Sequence, residues 1–177
     1  MRPVKQGELD GLCGLYSIIN AIELTGVRGP RGLMHQQLFK RLVLSLPSDV
    51  AQNAIADGLN GADLIESSVR PFRWLARTCG LQLSLSQPWL DTSFTDMNEF
   101  LNALREQLRH ADRAVIINLK APSPWHWTVL KPLTAERMQV RDSGRLSTLS
   151  LDRFSLTAGS YRFSARDRLH LTRRNRK

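Results

Sequence analysis

At Gly80 the hydrophobic rhythm of this chain changes. Before it, apolar residues return every three or four positions; after it, "LQLSLS" (81–86) alternates apolar with polar, as a half-buried strand does. A pattern with helical period does not suit a strand, so the chain divides into a helical first part and a strand-rich second part.

The first helix is expected from near Asp10 or Gly11, with Leu12, Leu15, Tyr16, Ile19 and Ile22 on one side and Ile18 broadening it. Thr25-Gly26 stops it, and the loop "GVRGPRG" follows. A second helix carries Met34, Leu38, Leu42 and Leu46 and ends at Pro47. Residues 49–58 and 62–79 read as two more, with Pro71 restarting or kinking the latter and Gly80 closing it. One further helix, 97–109, intervenes behind an Asp96/Glu99 start signal. Strands are expected at 114–119, 126–131, 137–142 and 160–165. Helices first and a mostly antiparallel sheet second predict an α+β fold. No repeat or linker divides it, so a single domain over 1–177 is expected.

The overall composition supports a packed, water-soluble chain. An apolar fraction of 42% argues against disorder, and no apolar run approaches the roughly 18 residues of a membrane span. Two cysteines make no disulfide framework, and "MRPVKQGELDG" lacks the apolar core of a secretory signal, so a cytoplasmic setting is expected. The net charge of +9 favours acidic partners. Much of it lies in "YRFSARDRLHLTRRNRK" (161–177), read as ending in a solvated basic tail from about 166 that could dock an acidic partner. With no zinc-finger spacing or aromatic platform beside it, specific nucleic-acid binding is not expected.

The stretch "QGELDGLCGLYSIINA" (6–21) sets Cys13 in or beside the first turn of the first helix. A thiol attacks as thiolate, and a helix N-terminus or a nearby imidazolium favours that form. A helix-opening cysteine is also a common packing residue. Gln6, seven positions upstream, could supply a side-chain amide to an oxyanion alongside the backbone N–H of Cys13. Downstream, "PWHWTVLKPLTAERMQVRDSG" (124–144) reads as a hairpin. With its turn centred on Thr134, His126 lies opposite Asp142, with Cβ atoms roughly 5 Å apart on one face, and Trp125, Trp127 and Val129 pack on the other.

Gln6, "DGLCG" (10–14), "HWTVL" (126–130) and "RDSG" (141–144), in that order, resemble the papain-like cysteine peptidase superfamily. Within it, the look is closest to the small bacterial domains that trim leader peptides in bacteriocin exporters. The resemblance spans roughly residues 6 to 144. It implies a papain-like fold, with Cys13 as nucleophile, His126 as its acid–base partner, Asp142 orienting the ring, Gln6 in the oxyanion hole, a protein or peptide substrate and no cofactor. Those exporter domains usually carry aspartate before the cysteine and proline after the late aspartate; here Leu12 and Ser143 stand there. Transglutaminases, deamidases, arylamine acetyltransferases and cell-wall peptidases use the same groups, so the reaction stays open between hydrolysis and transfer, and a non-catalytic binding module is the rival class.

The other polar residues read more plainly. Cys79 is expected in the core, and His35, His110 and His170 at surface or capping positions, without the spacing of metal ligands. Asn20 could replace Asp142 as the polar partner if the first helix faces the histidine.

Overall fold

The computed structural model describes residues 11–27, 31–92, 94, 96–120, 125–144, 146–156 and 161–174, apart from the side chains of 31, 32, 125, 161 and 164–167. Helices α1 (Cys13–Leu24), α2 (Arg31–Leu44), α3 (Ser48–Asp57) and α4 (Gly61–Cys79) precede strand β1 (Gln82–Ser86) and helix α5 (Met97–Leu108). Strands β2 (Arg113–Lys120), β3 (Trp125–Leu133), β4 (Arg137–Arg141), β5 (Thr148–Ser150), β6 (Phe154–Ser155) and β7 (Tyr161–Arg174) follow. They form one sheet ordered β1-β7-β2-β3-β4-β5, antiparallel throughout except for the short β6, which runs parallel to β7. The α+β expectation holds, and the helices fall within a few residues of where the apolar spacing puts them.

Local chemistry sets the helix ends. Asn60 and Asp63 cap α4 reciprocally, each side chain accepting the other's backbone N–H at 3.0 and 3.1 Å. Gly80 closes it in the left-handed region at φ 67°. Asp96 accepts the Glu99 N–H at 2.8 Å and starts α5. Pro71 does not restart α4, which is one helix from Gly61 to Cys79.

The sheet is covered on both faces. On one side α1 to α4 pack over Leu85, Ala114, Ile116, Trp127, Val129, Leu169 and Leu171; on the other, α5 packs over Val115, Ile117, Leu119, Leu130, Met138 and Val140. That is why "AVIINL" in β2 is buried at every position rather than alternating. Helix α1 lies deepest, with nine of its twelve residues buried. A helix apolar on nearly all sides needs such a place.

Three expectations are corrected. Residues 166–174 are not a solvated tail, since β7 runs to Arg174, between β1 and β2; residues 175–177 of the expected tail lie outside the described residues. Leu169 and Leu171 enter the helical core, and Arg168 lies 4.8 to 5.1 Å from the rings of Trp89, Phe94 and Phe100. Leucines alternating with polar residues made this a two-faced strand, and aromatic faces make burial of the guanidinium tolerable. His170 is likewise buried, edge-on to Trp89 at 4.6 Å, not at the surface. Cys79 is exposed rather than core, because the last turn of α4 presents it outward beside Thr78. Among the described residues, no helix is long and apolar enough to cross a membrane.

Candidate active site

Cys13 is the first residue of α1, where the helix presents unpaired N–H groups and the positive end of its dipole. The Cys13 sulfur accepts the backbone N–H of Trp127 in β3 at 3.4 Å. One turn later, the Ser17 hydroxyl donates to the Trp127 carbonyl at 2.9 Å. Helix and strand are therefore pinned through both polar groups of one residue. The Trp127 indole N–H donates to the Leu59 carbonyl at 2.7 Å, fixing the same strand to the loop before α4. Gly14 permits this approach: a Cβ there would stand 2.7 Å from a Leu64 methyl and 3.2 Å from the Trp127 ring.

His126 and Asp142 meet, though not in the expected register. Val129 pairs with Arg141 and Leu130 with Val140. Continued by one residue, that register sets Asp142 opposite Thr128 and makes His126 its diagonal neighbour. The turn closes between Thr134 and Arg137, where the Thr134 N–H donates to the Arg137 carbonyl at 3.0 Å, rather than centring on Thr134. A shift of two positions keeps every side chain on its face, so the contact survives. His126 Nε2 stands 2.7 Å from Asp142 Oδ1. The other carboxylate oxygen accepts the N–H groups of Gly144 at 2.7 Å and Leu146 at 3.4 Å, which fixes its orientation.

Solvent reaches the three groups unequally. The His126 side chain is 23% exposed and that of Asp142 is 1% exposed; Cys13 is 5% exposed. Burial alone would lower the His126 pKa; the hydrogen bond and charge of Asp142, together with the Cys13 sulfur, outweigh it and raise the value to about 10. Burial pushes the Asp142 carboxyl up, yet the hydrogen bond and charge of His126 prevail and hold it below the usual carboxylate range. With Nε2 committed to Asp142, Nδ1 is the ring nitrogen left for the nearby Cys13 sulfur, whose influence raises the imidazole's pKa. Thiol, imidazole and carboxylate thus stand in the order that nucleophilic thiol chemistry uses.

Two other predicted participants remain. Gln6 lies outside the described residues. Asn20 is buried but turns toward β4, where its Oδ1 accepts from Arg141 Nε at 3.4 Å, so it does not serve the histidine. The sequence reading passed over Ser17 and the buried Arg141–Glu23 ion pair, which hold the surrounding elements. The signal for Arg141 was its place beside Asp142: successive strand residues face opposite ways, so a carboxylate toward the ring sends its neighbour toward α1. His35, expected at the surface, is largely buried and joins Glu23 at 3.5 Å.

Neither a protein-family profile nor a curated protein matches this sequence. Among solved structures, the chain is similar to a double glycine motif protease from an AMS/PCAT transporter in complex with the leader peptide. The two are 13% identical, with 98% of this chain and 91% of that one covered, at a TM-score of 0.45.

Proposed function

We propose that this chain is a papain-like cysteine peptidase that hydrolyses a peptide or isopeptide bond. What carries the reading is the juxtaposition, at the start of α1, of Cys13 with His126 and of His126 with Asp142, the latter pair 2.7 Å apart. In the proposed reaction the Cys13 sulfur, as thiolate beside the His126 imidazolium, attacks the substrate carbonyl carbon. The carbon–nitrogen bond breaks, and His126 gives its proton to the leaving amine. A thioester remains on Cys13. His126 then takes a proton from water, whose oxygen attacks the thioester; the acid departs and the sulfur regains its partner. Asp142 holds the ring in the tautomer that presents Nδ1 to sulfur. Gln6 and the Cys13 N–H are proposed as oxyanion donors, each worth about 3 kcal/mol in such sites.

Alkylation tests the pair directly. Cys13 should react with iodoacetamide at pH 6 faster than a cysteine in a denatured control, and His126→Ala should remove the advantage. Resistance of Cys13 in folded protein would defeat the proposal. Incubation with peptide libraries, with and without an amine acceptor, then separates hydrolysis from acyl transfer: hydrolysed ends support the peptidase, conjugated ends the transferase. The rival binding-module reading rested on a basic tail, and much of that segment is interior strand.

A further inference from the structure

The two ends of the sheet are unlike. At one end stands β5, only three residues long. At the other is β1, five residues in unbroken register with β7 from Gln82 opposite Arg174 to Ser86 opposite His170, and no partner strand on its outer side among the described residues. Sheet edges in natural proteins are ordinarily blunted by charge, proline or a bulge, because unpaired N–H and C=O groups recruit other strands. Strand β1, "QLSLS", has none of these devices.

Beside that edge lies a groove of about 450 Å³ between α4 and β1. Consecutive residues Gln82 to Leu85 all line it, and since successive side chains point to opposite faces, the groove meets the strand along its backbone edge. Its far wall is the apolar side of α4, including Ile65, Phe72 and Val69, the last 42% exposed. Arg73 and Arg174, both exposed, stand on its rim; among the described residues no carboxylate lines it. Neither arginine has an ion-pair partner among the described residues.

We infer that the outer edge of β1 is a docking site for an extended acidic segment of a partner protein, added to the sheet as a further strand. Backbone hydrogen bonds to β1 supply the attachment, and alternate apolar side chains enter the groove against α4. Acidic residues between them meet Arg73 and Arg174, which excludes basic or neutral segments of the same shape. Strands β7 and β2 separate this edge from β3, which carries His126, so docking does not touch Cys13 or His126.

The probe is a fluorescent octapeptide of alternating glutamate and valine, followed by anisotropy at about 50 mM salt, where charge attraction is weakly screened. It should bind saturably, and a lysine–valine counterpart should not. Methylating alternate backbone nitrogens of the acidic peptide should abolish binding with the protein unaltered. The double variant Arg73→Glu/Arg174→Glu, its fold checked by circular dichroism, should bind about tenfold more weakly. Cys13→Ala should bind as the parent does, which separates this proposal from the peptidase reading. Equal binding of the methylated peptide, equal binding of both charge types, or no binding at about millimolar peptide would overturn it. So would a concentration-dependent dimer lost on Val69→Glu, since the edge would then belong to a second copy of the chain.

Discussion

Arg141 reaches from β4 onto α1 and pairs there with the Glu23 carboxylate, both side chains almost wholly buried. The helix that begins with Cys13 and the strand that leads into Asp142 are thereby tied at a second point, roughly three turns from the sulfur. Alternation along β4 does the rest, turning Arg141 to the helix and Asp142 to the ring of His126.

Removing Glu23 leaves the buried Arg141 charge without its counter-ion, and removing Arg141 leaves the buried Glu23 with His35 alone, at 3.5 Å. Glu23→Gln and Arg141→Met should each cost about 3 to 5 kcal/mol in urea unfolding. The double variant Glu23→Leu/Arg141→Met should cost much less than the sum, since neither charge then remains. Additive losses would show that the two side chains do not act as a pair.

The His126–Asp142 contact sets the alkaline limb of stability. A histidine raised from 6.5 to about 10 holds its proton more tightly folded than unfolded. Its contribution is complete below pH 6.5 and disappears as pH climbs through about 10. Asp142→Asn removes the carboxylate charge, so the decline in unfolding free energy above pH 6.5 should flatten in that variant. NMR titration of the His126 ring should show its pKa falling toward the ordinary value. An unchanged titration would mean that Asp142 does not hold the imidazolium.

Gly11, just before α1, is predicted to tolerate no side chain. Its N–H donates to the Ile55 carbonyl at 2.9 Å, and a Cβ would lie 2.7 Å from the Ala54 carbonyl oxygen and 2.9 Å from that of Ile55. Backbone oxygens at the end of α3 cannot swing aside as a leucine tip can. Gly11→Ala should therefore destabilise by about 1 to 3 kcal/mol, a range typical of forced overpacking. Thermal melting checks it: each kcal/mol lowers Tm by about 2 to 4 °C in a domain of this size.

Local order was legible where one period dominated. The apolar spacing of α1, α2 and α4 and the Asp96 cap predicted helices that formed, and "DGLCG" set Cys13 at a helix start. The hairpin face was legible for the same reason, because parity survives a two-residue error in register. Position in the sheet was not. Residues 161–174 carry alternating leucines near their end, but their arginines made the composition of a surface arm. The aromatic wall of Trp89, Phe94 and Phe100, distant in sequence, helps explain how Arg168 can be 2% exposed. Nor could spacing reveal that Asn20 serves Arg141, since a helix face has no target until its neighbours are placed.

That same aromatic wall contributes to the acid limb, above the range in which Asp142 titrates. His170 is buried against Trp89, and its Nε2 has no hydrogen-bond partner among the described residues. Burial first, then the nearby charges of Arg113 and Arg168, lower its pKa from 6.5 to about 4. The folded chain therefore binds this proton less readily than the unfolded one. The stability that comes from keeping His170 neutral is complete above pH 6.5 and is lost as pH falls through about 4. His170→Phe keeps a ring against Trp89 and removes the titration, so the loss between pH 6.5 and 4 should shrink. Above pH 6.5 the variant should follow the parent, because that limb belongs to His126. Urea midpoints at pH 4, 5, 6.5 and 9 resolve the two limbs; an acid limb as steep in His170→Phe as in the parent would remove His170 from its cause.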